Sequence, residues 1–419
     1  MKSLPQSVYP VQAVRTVALH AQHLTAPLGA SPTPDQIYDT IEQMMCVQID
    51  TLQMVHRSHY LALWSRLGAY DPADLDRVAY GDGQSERRLF EYWLHAACLI
   101  PVREYRYRLP VMEWYRSNHG WRHEWTLEPE NKALMKAVLK RIEQEGPLRT
   151  SDFEHTGKRA GSWWNWKPAK QALEHLFNQG RLMIAGRVNF QRVYDLRERV
   201  LPDGVDASEP TQAEMERYLI ERSLKALGIC EPAQAASCVH GFRRPHARAL
   251  VQKLITSGIA VEVQSELCDG KLHTLVLHRD HLPALQQAAD GALKAARTTF
   301  FSPFDNLFWA YGRDMLFWNF RQALEAYKPA GTWIYGYFTL PILHHDRFVG
   351  RFDVKMERQT GTLRLKALFL EPKVKPDDEL VSDVAAALRN FMAFHQATAL
   401  VIERSEPAAF GKKLLRAMK

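Results

Sequence analysis

The sequence predicts a mostly helical α+β chain, in which units of three helices and a β-hairpin repeat ahead of a C-terminal β-rich domain. Three observations predict it. The order helix, helix, helix, hairpin occurs twice between Asn131 and Leu277. Of the 419 residues, 46% are hydrophobic, which supplies several cores. After about Arg297 the pattern turns from helical to strand-rich. At roughly 100–200 residues per domain this length implies two to four domains.

The elements follow in chain order. Val11, Val14 and Leu19 recur at helical spacing within Ser7–His23, and a Pro/Ser/Gly-rich loop covers Ala26–Pro34. Thr33-Pro34 opens a second helix with Ile37, Ile41, Met44 and Met45 on one side. Val47–Leu52 then alternates apolar and polar residues, a strand-like period, and His56–Leu67 returns to helix. Glu91–Ile100 is strongly apolar.

Lys132–Gln144 is an amphipathic helix stopped by Gly146-Pro147; a short helix capped at Thr150–Phe153 and a third from Pro168 to Gly180 follow. Strands at Arg181–Gly186 and Phe190–Leu196 complete a winged-helix order, a helix-turn-helix with a hairpin wing. The same order returns as helices at Met215–Leu227, Ala233–Cys238 and Pro245–Thr256 with strands at Ile259–Glu266 and Leu272–Leu277. Beyond Arg297, Trp333–Leu343, Phe348–Met356 and Gly361–Phe369 form a meander, and a final helix spans about Leu380–Gln396.

Composition removes several classes of function. No run of about 18 apolar residues exists, so no membrane span is expected, and the start MKSLPQSVYP lacks the apolar core of a secretory signal. Five scattered cysteines without a C-x-x-C pair argue against a disulfide framework or a structural zinc and for a reducing cytoplasm. Phosphate-cradling G-x-x-x-x-G-K-[ST], G-x-S-x-G and Gly-rich dinucleotide loops are all missing. The net charge of +7 leans mildly towards polyanions.

Cations and aromatics interleave where a helix-turn-helix meets DNA. Lys158 and Arg159 precede Trp164 and Lys167, with Lys170 on the helix that follows; Arg243, Arg244 and Arg248 take the corresponding place in the second unit. A solvated basic face is the alternative for either stretch alone, and the tryptophans also suit a core. Arg103–Arg108 is a looser basic stretch. Gln48-Ile49-Asp50 would put an amide and a carboxylate on one face of a strand, able to hold and deprotonate a water between them. Q-x-D also recurs by chance, so spacing alone does not single it out. Trp93 and His95 sit at i and i+2 as further candidates for a site lining. The His119/His123 pair has metal-like spacing but no acidic partner, and His344-His345 is expected exposed at a hairpin turn.

Together these residues resemble the AlkZ/YcaQ-type winged-helix DNA glycosylases, in particular the YcaQ (AlkX) branch of bacterial interstrand-crosslink glycosylases. The stretches that carry the resemblance include Met45-Cys-Val-Gln-Ile-Asp-Thr51, Glu91-Tyr-Trp-Leu-His-Ala-Ala-Cys98, Gly161-Ser-Trp-Trp-Asn-Trp-Lys-Pro168, Phe301-Ser-Pro-Phe-Asp305 and Tyr335-Gly-Tyr-Phe338. Departures fall in the linkers and in the tail Pro407–Lys419. Pattern and resemblance divide the chain into winged helices at 1–125, 126–205 and 206–290 and a β-barrel-like domain at 291–419 that ends in a helix. The resemblance implies a catalytic Gln-x-Asp motif at Gln48 and Asp50 and no cofactor or metal. It also implies a monomer acting on double-stranded DNA with alkylated bases or crosslinks, at the bacterial nucleoid. The rivals are a winged-helix transcriptional regulator without catalysis, which leaves Gln48 and Asp50 idle, and a nuclease, which lacks an acidic two-metal cluster.

Overall fold

The computed structural model describes residues 8–28, 31–83, 86–120, 122–153, 168–240 and 244–419. They fall into two compact units that do not follow chain order. One contains residues 1–75, 93–98 and 216–419; the other contains 76–92 and 99–215.

In the first unit, helix Val11–His20 buries Val14, Val17 and Leu19 in one cluster with Leu275, Phe301, Phe317 and Phe348. The helix begins four residues later than its sequence pattern suggests. Thr33 caps helix Pro34–Gln43 through a reciprocal box with Gln36, and Pro34 occupies the first turn, as the sequence predicts. Helix Ser58–Leu67 follows. The strand expected over Val47–Leu52 shrinks to Val47–Gln48.

The strand-rich part of this unit is one six-stranded sheet that curls into a half-barrel. Thr298–Phe300, Thr339–His344, Arg347–Glu357 and Thr362–Leu370 run antiparallel in that order. Ala399–Ile402 and Ser405–Glu406 both join Thr362–Leu370 in parallel. Register shifts at Ile342/Leu343 and Asp353/Val354 add twist. Gly350 is required in this sheet, since a Cβ there would lie 2.2 Å from the Phe369 carbonyl oxygen. Two expectations are corrected here. Residues 333–338 are not strand: the Trp333 amide bonds to the Ala330 carbonyl, and the amides of 334–338 bond to the carboxylates of Glu325 and Asp353 instead of a neighbouring strand. Helix Asp378–Phe394 is not final, because Ala408–Ala417 forms another.

In the second unit, helix Pro129–Glu145 ends at Gly146, and helix Pro168–Asn178 leads into the hairpin Leu182–Val188/Gln191–Leu196. Glu91 is buried there against Arg187, at 2.6 and 2.7 Å, and accepts from the Tyr80 hydroxyl at 2.7 Å. Burial alone would raise the Glu91 pKa; the guanidiniums of Arg187 and Arg192 and the Tyr80 hydroxyl together outweigh it and hold the carboxyl below its ordinary range.

Three sheets along the chain share one plan, in which a two-residue strand pairs with the second strand of a hairpin. The short strands are Val47–Gln48, Leu148–Arg149 and Ile229–Cys230; their partners are Ala97–Pro101, Gln191–Leu196 and Leu272–His278. No helix among the described residues is long and apolar enough to cross a membrane.

Candidate active site beside the first short strand

The segment that carries Gln48 and Asp50 is fixed from several sides. Helix Pro34–Gln43 ends at Met44, and the buried Met45 takes a φ of 73°, turning the chain sharply into the strand. A left-handed Met costs roughly 1–2 kcal/mol, so its surroundings must enforce it. Asn306 supplies part of that: its side-chain amide donates to the carbonyls of Met44 at 3.2 Å and Cys46 at 2.7 Å. The Ser58 hydroxyl donates to the Gln48 carbonyl at 2.7 Å, and the Ile49 amide donates to the Ala97 carbonyl at 2.8 Å. Asp305, next to Asn306, forms a fully buried ion pair with Arg66.

Asp50 lies just past the strand, where its Oδ1 accepts from the Leu52 amide at 2.8 Å. That bond is why the extended stretch ends early: a short carboxylate captures the backbone two residues on and turns it. Burial alternates along the segment, with Val47 and Ile49 inside and Gln48 and Asp50 half-buried. Burial raises the Asp50 pKa above the ordinary carboxylate range, opposed by the Leu52 and Thr51 amides and by the charge of Arg57. A carboxylate tuned this way is a stronger base than a solvated one.

Tyr327, which the sequence reading missed, stands within electrostatic reach of Asp50. Partial desolvation and then the Asp50 charge push its phenol above the ordinary range, although the side chain is 73% exposed. Its loop is held by two buried carboxylates. Glu325 accepts from the amides of Ile334, Tyr335 and Gly336 at 2.8–3.2 Å. Asp353 accepts from Tyr337 at 3.3 Å and Phe338 at 3.0 Å. Gly336 has a φ of 131°, and a Cβ there would sit 2.4 Å from the Asp353 Oδ2. The only sequence signal for this loop is the Tyr335-Gly-Tyr-Phe338 motif.

Trp93 is partly exposed at the hairpin tip. His95 donates from Nδ1 to the Ser237 carbonyl at 2.8 Å and stacks on Trp309 at 4.3 Å; burial lowers its pKa, opposed by that carbonyl. Arg244 and Arg248 are exposed one turn apart on helix Arg244–Thr256. Lys170 is half-buried on helix Pro168–Asn178 of the second unit. Lys158, Arg159, Trp164, Lys167 and Arg243 lie outside the described residues. His344 and His345, expected to be exposed, are half-buried, because their turn faces carboxylates of helix Asp378–Phe394.

The chain has the fold of a DNA glycosylase. A solved structure, the Streptomyces sahachiroi DNA glycosylase AlkZ, superposes with a TM-score of 0.62 over 95% of this chain and 100% of that one, at 14% identity. Residues 41–394 match the family model described as DNA glycosylase AlkZ-like, so the chain belongs to the AlkZ-like DNA glycosylase family. It is therefore a hydrolase of DNA repair that acts on DNA, and the regulator reading falls.

Proposed function

We propose that this glycosylase is monofunctional and removes N7-alkylated guanine, including nitrogen-mustard interstrand crosslinks, in base excision repair. The observation that carries the reading is the half-buried carboxylate of Asp50, its pKa raised by burial, two residues from the half-buried Gln48. Alkylation at N7 makes the base cationic. When the C1′–N9 bond breaks, its electron pair neutralises the base, which leaves without a general acid. Asp50 stabilises the oxocarbenium-like sugar and takes the proton of the water that attacks C1′, and Gln48 fixes that water. Trp93 and His95 line the site.

The protein is proposed to act as a monomer on chromosomal DNA in the bacterial cytoplasm. The shared plan of the three small sheets supports winged helices at 1–125, 126–205 and 206–290, ahead of the β-rich domain at 291–419. Lys158, Arg159, Trp164, Lys167, Lys170, Arg243, Arg244 and Arg248 are the proposed duplex contacts. A crosslinked guanine is tied to the opposite strand and cannot flip freely, so modules that track the duplex from outside suit it.

The test is base release from a duplex carrying one N7-alkylguanine, with EDTA present. Wild type should give alkali-dependent strand cleavage; Asp50→Asn should bind equally and lose about 10²–10⁴-fold in rate, the usual weight of a general base. Wild-type turnover by Asp50→Asn removes Asp50 from the chemistry. No release by either protein removes N7-alkylguanine as substrate.

A further inference from the structure

We propose that His344, His345, Glu379 and Asp383 form a binding site for a divalent transition metal, with zinc as its natural occupant. The two histidines close strand Thr339–His344 and open the turn to Arg347–Glu357; the two carboxylates lie one turn apart on helix Asp378–Phe394. One donor atom from each of the four residues falls within 4.8 Å of all the others.

Consecutive residues on an extended chain point to opposite faces, so His344 and His345 should diverge. They do not. His345 takes a φ of 54°, and the two rings stack at 4.0 Å with 25° between their planes. One oxygen of Asp383 then lies 3.6 Å from Nδ1 of His344 and 3.6 Å from Nε2 of His345. That is too long for a hydrogen bond, whose usual length is about 2.9 Å. It is close to the spacing of two donors on one tetrahedral zinc, about 3.4 Å for bonds of about 2.0–2.2 Å.

The surroundings leave the carboxylates of the cluster free for a cation. Asp378, in the same helical turn, is already paired with Lys413 at 3.3 Å. The Thr298 hydroxyl hydrogen-bonds His344 Nδ1 at 2.9 Å, so an ion on that nitrogen would displace this bond. Two imidazoles with two carboxylates suit zinc and its first-row neighbours, whereas magnesium prefers oxygen alone. The ion would tie the hairpin turn to the helix, and the inference is independent of the proposed substrate.

Full-length protein stripped with a chelator and dialysed should take up one equivalent of Zn(II) in competition with a chromogenic chelator. Co(II) should give the strong visible bands of a four-coordinate site, and Mg(II) should not compete. His345→Ala and Asp383→Asn should each weaken zinc by more than about 100-fold, the upper end of what loss of an outer-shell partner costs. Glu379→Gln, at an exposed position, should also weaken zinc and alter the Co(II) spectrum; His119→Ala should change neither. Failure to bind one equivalent, or uptake undiminished in Asp383→Asn and Glu379→Gln, overturns the proposal.

Discussion

The side-chain amide of Asn306 donates to the Cys46 carbonyl at 2.7 Å, across 260 residues of chain. It thereby locks the segment that turns into Gln48 and Asp50. Asn306 touches no reacting group in the proposed chemistry, so it is a positioning residue. Asn306→Ala leaves the buried carbonyls of Met44 and Cys46 without this donor, at a cost of about 1–3 kcal/mol. We expect a lower turnover with unchanged duplex affinity, read by urea denaturation beside base release. Full turnover in the destabilised variant would mean that the segment holds its shape unaided.

Arg66 and Asp305 have no exposed side-chain surface, and Arg66 also donates to the Gln22 side chain at 2.9 Å. Removing one member of such a pair strands the other charge. Asp305→Asn should cost about 3–5 kcal/mol. The urea midpoint measures it, and a loss below 1 kcal/mol would show that Gln22 and the neighbouring carbonyls satisfy Arg66 by themselves.

The elements legible in the sequence are those whose signals are local. Thr33 and Pro34 announce a helix start by themselves, and Gly146 and Gly180 mark helix ends by φ values that glycine readily adopts. Gln48 and Asp50 stand as candidates on alternation and resemblance, and the strand was overestimated, since alternation cannot show that Asp50 will capture the Leu52 amide. Tyr327 was not legible, because its place depends on Glu325 and Asp353 collecting amides across the loop. The parallel strands Ala399–Ile402 and Ser405–Glu406 are too short for a period and exist only because Thr362–Leu370 offers them an edge.

Glu91 gives a prediction about pH. Its pKa is depressed in the fold, so its ion pair with Arg187 contributes stability above the unfolded carboxyl value of about 4.3. That contribution is lost as pH falls through the lower folded value. Glu91→Gln should therefore be less stable than wild type at neutral pH, by about 3–5 kcal/mol, with the gap closing in acid. Denaturation midpoints between pH 7 and pH 3 follow it; a gap that stays constant would mean that packing, and not charge, holds Glu91.

Asp50 should behave in the opposite sense. Its pKa is raised in the fold, chiefly by burial, so folding favours its protonated form. The stability it contributes is fully present below the unfolded value of about 3.9 and is lost as pH rises through the folded value. At neutral pH the ionised carboxylate is thus a stability cost that the enzyme retains for its chemistry. Asp50→Asn removes the charge and keeps the shape, so it should be more stable than wild type at pH 7, and the difference should vanish in acid. In the same variant base release should fall, and the wild-type rate should drop on the acid side at a pH above the ordinary aspartate range. Thermal midpoints and pH–rate profiles on the two proteins read both halves together. An Asp50→Asn protein that loses activity and stability alike at pH 7 would place Asp50 in the scaffold of the site and not in its chemistry.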